Sequence, residues 1–297
     1  MRRAARIVPW VPALLGVALA SLAFADGRER AGLVVCYPNA PGDTASARPV
    51  MERLGEYLSA RTGARVAPVY FNDLAGAEAF VREERPAFGI VSLAVFLRWR
   101  EAHGLNAVAA TERRGATTER FYVVGPADGP ESVAALLTRG GPAHVWSSLL
   151  DDARFAGRVV FGPDVPLAAE PRAGAVTLLS TRQPLRALRR LKQGRPLDGK
   201  PVDAVVVDGP TWEGLQQLKS FAGVLRVLAT TDVLPTPPVV AFDGVDAERR
   251  ARLTEVLTGM GRDPQGRALL ETLQLTGFGP VDGPALDAAA ARYEGAQ

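Results

Sequence analysis

The chain has 297 residues, of which 35 are basic and 32 acidic, with one cysteine and a hydrophobic fraction of 47%. This length fits one large domain or two lobes of about 100–150 residues each, and the composition is that of a globular protein. A single cysteine excludes an internal disulfide, so the fold must depend on its hydrophobic core.

The first 25 residues are typical of a secretory signal peptide. Three arginines precede an apolar run that closes on Ala23-Phe24-Ala25, after which the chain turns polar. A basic start, a hydrophobic stretch and an A-x-A site form such a signal, so we predict cleavage after Ala25 and a periplasmic or secreted protein. The alternative is an uncleaved membrane anchor, because the run is just long enough to span a bilayer. Two prolines inside the run disfavour that alternative.

Removing the signal peptide also removes the apparent positive charge. The signal holds three of the basic residues and no acidic ones, which leaves 32 of each sign in the mature chain. We therefore predict no nucleic-acid partner. Only His103 and His144 are present, without Cys/His metal spacing, and no nucleophile-elbow or phosphate-loop motif occurs. We predict a protein that is not an enzyme and has no catalytic residues, metal or cofactor.

The first part of the mature chain alternates short apolar strands with helical patterns. Pro68 lies inside the second strand, which indicates an edge position or a bulge. Asp73 and Ser92 are in position to cap the helices that follow the second and third strands. Such alternation is typical of parallel βαβ units in an α/β fold. The predicted segments are strands at 33–37, 65–71, 88–91 and from 108, and helices from about 44–46 to 62, 73–84 and 92–104.

A second β/α set follows, and its middle is the least regular part of the sequence. The region 140–178 is rich in proline and glycine, so we predict only one strand in it with a definite position, 158–161. Two extended stretches near 111–120 and 229–237 are predicted to be crossovers between two lobes. The remaining predicted strands are at 121–125, 204–207 and 224–228, and further helices are predicted near 132–137, 184–192 and 211–219. A long helix with Leu253, Val256, Leu257 and Met260 on one face follows, and another helix begins at Asp263.

Three stretches resemble a known family. Arg48-Pro49 leads a helix that ends in Arg61-Thr62-Gly63; a strand at 88–91 ends in Ser92; and the C-terminal part reads D-P-Q-G-R-A-L-L at 263–270 and T-G-F-G-P-V-D at 276–282. In these features the chain resembles the periplasmic substrate-binding proteins of phosphonate/phosphite-type ABC importers.

The resemblance implies an α/β, two-lobed type II periplasmic-binding-protein-like fold with two mixed β-sheets flanked by helices. Two hinge strands would join the lobes, and a ligand cleft between them would close by a hinge motion. The predicted lobes are residues 26–117 plus 232–297 and residues 118–231.

Candidate ligand-binding residues lie where strands end and helices begin, because helix N-termini carry free N–H groups that bind anions. Tyr37 and Asn39 follow the first strand, Ser92 follows the third, and Asp208 follows the strand at 204–207. Ser92 and Asp208 also fit as simple N-caps. The resemblance places Asp208 where the family often puts a carboxylate that meets a ligand amine or hydroxyl.

Two further candidates come from a departure from the family pattern. Phosphonate-binding members usually have a Ser/Thr-rich turn that ends in glycine, opens a helix and grips the phosphonyl oxygens. In the corresponding region, 140–149, this chain has Ser147 and Ser148 but no such glycine. We include both serines as candidates for ligand binding.

Three arginines, Arg113, Arg114 and Arg120, flank the first predicted crossover. One of them reaching the cleft would form a bidentate clamp for an anion. The alternative is that all three are solvated surface residues.

The sequence therefore predicts an exported, monomeric solute-binding protein. It would hold a small anionic ligand, such as a phosphonate, phosphite or phosphate-like oxyanion, between its lobes for an ABC permease. The alternative function is an exported receptor or partner-binding protein of the same fold, with a different small ligand and a membrane sensor as partner. A pyrimidine or a sulfonate is a further ligand class that this fold accommodates.

Overall fold

The computed structural model describes residues 30–40, 42–150 and 152–295. The predicted signal peptide and its cleavage site lie outside these residues. Within them, no helix is both long enough and apolar enough to cross a membrane. The helices are α1 (Thr44–Thr62), α2 (Leu74–Glu84), α3 (Leu93–Trp99), α4 (Val133–Leu137), α5 (Ala153–Phe155), α6 (Pro184–Lys192), α7 (Gly209–Gln217), α8 (Ala247–Gly259), α9 (Pro264–Thr272) and α10 (Gly283–Glu294).

The first sheet has six strands and combines the N-terminal βαβ units with the C-terminal part of the chain. Its strands are β1 (Arg30–Cys36), β2 (Arg65–Phe71), β3 (Phe88–Val91), β4 (Asn106–Glu112), β12 (Pro238–Ala241) and β13 (Gly277–Gly279). The order is β13-β4-β12-β3-β1-β2. Strand β1 is parallel to β2 and β3, whereas β12 and β13 run antiparallel to their neighbours. Pro68 lies in edge strand β2, where the missing N–H is tolerated, as the sequence predicts.

The second sheet has five strands from the middle of the chain. They are β6 (Phe121–Pro126), β7 (Ala143–Ser147), β8 (Val176–Ser180), β9 (Ala204–Asp208) and β10 (Leu225–Thr230), in the order β10-β6-β9-β7-β8. Strand β7 is parallel to β8 and β9, and β6 is antiparallel to β9 and β10. Both main sheets are therefore mixed and flanked by helices, which confirms the predicted fold class.

The two predicted crossover stretches lie side by side. Short strands β5 (Thr118–Glu119) and β11 (Leu234–Pro235) pair antiparallel in a two-stranded sheet of their own. Thr236 ties the stretches together, because its hydroxyl donates to the carbonyls of Thr111 and Thr117. Two chain segments thus run between the sheets together.

One predicted strand is wrong. The segment 158–161 is not extended, because residues Ala156–Val160 form a π-helical continuation of α5. The N–H of Phe161 donates to the carbonyl of Ala156 at 2.8 Å, the five-residue spacing of a π-helix. Ala156, Val159 and Val160 are buried together, so the apolar run that suggested a strand is the inner face of a helical segment. Strands β7 and β8 are the extended parts of the region 140–178 that the sequence did not locate.

The C-terminal D-P-Q-G motif begins helix α9 and packs it against α1. Asp263 caps the helix by accepting from the N–H of Gly266 at 2.8 Å, and Pro264 occupies the first helical turn. A Cβ at Gly266 would overlap the carbonyl of Met260, so only glycine fits there. The Asp263 carboxylate also accepts the Tyr57 hydroxyl of α1 at 2.6 Å. The D-P-Q-G part of the most specific sequence motif therefore serves to pack α9 against α1.

Candidate functional site

A cavity of about 540 Å³ lies between the two main sheets. The carboxyl ends of β1 and β3 border it on one side, and the ends of β7 and β9 border it on the other. Parallel neighbours end at the same sheet edge, so their following residues converge there. Two other cavities, one of about 330 Å³ beside Asp246 and Arg252 and one of about 570 Å³ between α1 and β2, are not lined by residues of the second sheet. The polar lining residues of the cavity between the sheets include Tyr37, Ser46, Tyr70, Ser92, Arg113, Ser148, Asp208 and Gln274.

Ser92 and Asp208 have the capping roles that the sequence predicts and also line the cavity. The Ser92 hydroxyl accepts from the N–H of Val95 at 3.3 Å at the start of α3. The Asp208 carboxylate accepts from the N–H of Thr211 at 2.9 Å at the start of α7. Each side chain keeps a second polar function for the cavity: the hydroxyl proton of Ser92 and the second carboxylate oxygen of Asp208.

The structure brings Tyr37 and Ser148 to the cavity but leaves Asn39 and Ser147 outside its lining. Burial raises the pKa of Tyr37, so its hydroxyl stays protonated and can donate. Ser147 is fully buried, and its oxygen accepts from the N–H groups of Leu149 and Leu150. Asn39 lies in a turn, where its own backbone N–H donates to the carbonyl of Asn72. Ser147 thus shapes the turn that presents Ser148.

Arg113 is the cation of the cavity. Its side chain is 30% exposed, and one terminal nitrogen, Nη1, lies 3.3 Å from Asp208. Its Nε is buried and has no hydrogen-bond partner among the described residues. Burying a guanidinium N–H without a hydrogen-bond partner costs free energy, because the group loses its hydrogen bond to water. The Nε–H of Arg113 is therefore available to donate to an acceptor in the cavity. Arg114 and Arg120 do not line this cavity; they bond to Glu213 and to the carbonyl of Thr231.

Glu119 adds a titratable group beside the cavity that the sequence analysis missed. It lies on β5 and is mostly buried. Burial raises its pKa to about 7, the Arg113 guanidinium opposes that rise, and the Asp208 carboxylate adds to it. Near neutral pH, Arg113 therefore has one ionised carboxylate partner, Asp208, and a second carboxyl that is only partly ionised. The signal in the sequence was an acidic residue inside the predicted crossover, next to the arginines.

Comparisons with known proteins agree with this architecture. Residues 197–285, which include Asp208 and the C-terminal motif, match the family model of the periplasmic substrate-binding protein of phosphonate ABC transporters. Over this range the chain is similar to these binding proteins. The resemblance predicted from the sequence is confirmed, and the family is a transport component that carries out no catalysis. No curated protein sequence matches the chain.

Three solved structures share the overall fold of this chain. XAC2383 from Xanthomonas citri is 17% identical with a TM-score of 0.72, and the alignment covers 90% of this chain and 98% of that one. A phosphonate-transporter binding protein, PA3383 from Pseudomonas aeruginosa, is 15% identical with a TM-score of 0.64 and coverages of 90% and 88%. PhnD1 from Prochlorococcus marinus is 10% identical with a TM-score of 0.63 and coverages of 90% and 99%.

The proteins of that family are periplasmic and bind solutes. Binding proteins of the family hold small molecules and work with ABC permeases. The cavity between the sheets fits such a role, because its lining combines residues from the ends of both β/α units.

Proposed function

We propose that the protein captures a small ligand with an anionic group in the cavity between its lobes and delivers it to an ABC permease. The observation that carries this proposal is Arg113 at the junction of the two sheets, whose buried Nε has no hydrogen-bond partner in the part of the chain that the structure describes. A phosphonate, phosphite or phosphate-like oxyanion would supply the missing acceptor. The hydroxyls of Ser92, Ser148 and Tyr37 would donate to its other oxygens.

The charge of the cavity favours a ligand with limited negative charge. Arg113 is already paired with Asp208, and Glu119 lies within electrostatic reach of both. A strongly anionic ligand would therefore meet a cation that is partly neutralised. A single anionic group, or an anionic group accompanied by an amine or hydroxyl for Asp208, balances these charges better. PhnD1 was determined in complex with methylphosphonate, which makes that compound the first to test.

We further propose that the mature protein begins at Asp26 and is a monomer. Its lobes would be residues 26–117 plus 232–297 and residues 118–231, with the β5 and β11 stretches as hinges. Ligand would favour the closed state, because only closure lets groups from both lobes contact it.

A thermal-shift screen of residues 26–297 tests the ligand class. The panel holds phosphonates, phosphite, phosphate, sulfonates, sulfate, nucleobase derivatives and ATP; XAC2383 was determined with chloride and with ATP. A ligand at about 100 times its Kd adds roughly 2.7 kcal/mol to the free energy of unfolding, which raises Tm by about 5 °C or more at this size. We expect the largest shift from phosphorus oxyanions. A shift confined to other compounds would contradict the ligand class and leave the binding role intact.

Replacing Ser148 by alanine is expected to weaken binding of the best phosphorus ligand about tenfold, because a hydrogen bond to a charged group contributes about 1.5–3 kcal/mol. Calorimetric titration measures this. The matched control is Ser180→Ala, since Ser180 ends the neighbouring strand β8 but does not line the cavity. Equal affinities for wild type and Ser148→Ala would remove Ser148 from the site.

The alternative, an exported receptor that does not serve transport, is favoured by one observation. The turn at Ser147–Leu150 uses the Leu149 and Leu150 N–H groups internally, and α5 after it has only three residues. These N–H groups are thus not free to grip an oxyanion as a helix N-terminus would. The absence of a shift with every compound in the panel would support this alternative.

A further inference from the structure

A second polar cluster joins the two sheets away from the cavity, and its centre is Asp152. This side chain is only 9% exposed. One carboxylate oxygen caps α5 by accepting from the N–H of Phe155 at 2.9 Å. The other accepts the hydroxyl of Tyr293 at 3.0 Å and lies 3.8 Å from the guanidinium of Arg98. Three helices therefore meet at a single buried carboxylate.

Tyr293 is held from several sides near the end of α10. Its ring is buried, its carbonyl accepts from Arg158 at 3.0 Å, and the Arg154 guanidinium lies 5.2 Å from the ring centroid. Burial and the hydrogen bond to Asp152 raise the pKa of Tyr293 to about 12. The phenol stays protonated at any physiological pH and remains the donor in this bond.

The partners of this cluster come from chain segments that follow strands of both sheets. Arg98 lies on α3, which follows β3 of the six-stranded sheet, and Tyr293 lies on α10, which follows β13 of the same sheet. Asp152 comes after β7 of the five-stranded sheet. Leu286 and Ala290 of α10 also belong to a hydrophobic cluster that contains buried residues of both sheets. The C-terminal helix therefore contacts both halves of the molecule.

The cluster lies at the far end of the two segments that supply serines to the cavity. Helix α3 begins at Ser92, inside the cavity, and carries Arg98 in its last turn. The segment after β7 presents Ser148 to the cavity and reaches Asp152 four residues later. The contact between Arg98, Asp152 and Tyr293 thus links the segment that carries Ser92 to the segment that carries Ser148.

We propose that Arg98, Asp152 and Tyr293 form an inter-lobe clasp that limits the range of separations of the two sheets in the ligand-free protein and so positions Ser92 and Ser148 across the cavity. These three are positioning residues: they do not line the cavity themselves. The clasp holds the ligand-free protein near one separation of its halves. Breaking it allows a wider range of separations.

The chain contains a matched control for this cluster. Within the part of the protein built on the six-stranded sheet, Tyr57 donates to the helix-capping Asp263 at 2.6 Å, and Arg61 lies 3.3 Å from the same carboxylate. This group and the clasp each consist of a tyrosine, a capping aspartate and an arginine. The difference is that α1 and α9 pack on the same sheet. Tyr57→Phe therefore removes the same hydroxyl without touching a contact between the halves.

The clasp is tested by measuring distances between two spin labels with double electron–electron resonance on the ligand-free protein. Spin labels at Arg53→Cys and Arg189→Cys place one probe on each half, at exposed positions of α1 and α6; Cys36 is fully buried. We expect a narrow distance distribution for wild type and for Tyr57→Phe. We expect a broader one for Tyr293→Phe and for Asp152→Asn, in which the amide keeps the helix cap but offers no second acceptor oxygen.

The double variant Tyr293→Phe/Asp152→Asn separates the clasp from general loss of stability. If the two residues act through one bond, its distribution is no broader than that of either single variant. A Tyr293→Phe distribution identical to wild type would overturn the proposal, and so would equal broadening by Tyr57→Phe. The measurement uses no ligand, so its outcome is independent of whether a phosphonate binds.

Discussion

Replacing Arg113 by glutamine is expected to lower the affinity for methylphosphonate by about 30–100-fold, which corresponds to about 2–3 kcal/mol. The variant loses the positive charge of the cavity and the buried Nε, which has no hydrogen-bond partner within residues 30–40, 42–150 and 152–295. It also leaves the Asp208 carboxylate, whose side chain is 13% exposed, facing the ligand anion without compensation. Calorimetric titration of both proteins at pH 7 gives the two dissociation constants.

The neighbouring arginine supplies the control. Arg114 is 55% exposed, is paired with Glu213 and does not line the cavity between the sheets. Arg114→Gln is therefore expected to change the affinity by less than about threefold, since exposed ion pairs contribute little. An Arg113→Gln protein that folds normally by circular dichroism and binds methylphosphonate as tightly as wild type would remove Arg113 from the site.

Replacing Glu119 by glutamine is expected to stabilise the protein at high pH and not at low pH. Burial raises the Glu119 pKa from 4.5 to about 7 in the folded protein. Below the unfolded pKa the carboxyl is protonated in both states and costs nothing. As pH rises towards 7, the unfolded state releases its proton first, and wild type loses stability relative to the variant. Above pH 7 the expected gain for Glu119→Gln is on the order of 2–3 kcal/mol.

Urea unfolding of wild type and variant at intervals from pH 4 to pH 8 measures this difference. The control is Glu131→Gln, because the Glu131 side chain is 89% exposed and should give a difference near zero at every pH. A Glu119→Gln difference that is constant across the range would show that the carboxyl does not titrate with a raised pKa. A variant that is less stable than wild type at pH 8, with the loss shrinking towards pH 4, would mean that Glu119 is held ionised, the opposite of the expected sign.

Local sequence rules predicted the fold well where each strand and helix is specified by its own residues. Asp73, Ser92, Asp208 and Asp263 all cap the helices they were expected to open. The prediction failed in the region 140–178. Strand β7 is buried on both faces, so its sequence, Ala-His-Val-Trp-Ser, shows no polar alternation. The π-helical segment after α5 has apolar residues at a spacing that a short strand shares.

The site was predictable in part for the same reason. Residues that follow a strand and begin a helix can be read from the chain, and Ser92 and Asp208 were found in this way. The position of Arg113 was not readable, because it depends on the path of the crossover between the sheets. Glu119 needed the burial of that crossover to be known. The hydrogen bond between Tyr293 and Asp152 joins residues 141 positions apart, so no local sequence pattern predicts it.

The central claim, that the cavity between the sheets holds the ligand, is tested most directly by filling that cavity. Ala47 lines it from α1, whereas Ala45 on the same helix is exposed and does not. Calorimetric titration with methylphosphonate is therefore carried out on wild type, Ala47→Trp and Ala45→Trp. We predict binding to wild type and Ala45→Trp and none to Ala47→Trp. Undiminished binding to Ala47→Trp would place the ligand elsewhere and contradict the account.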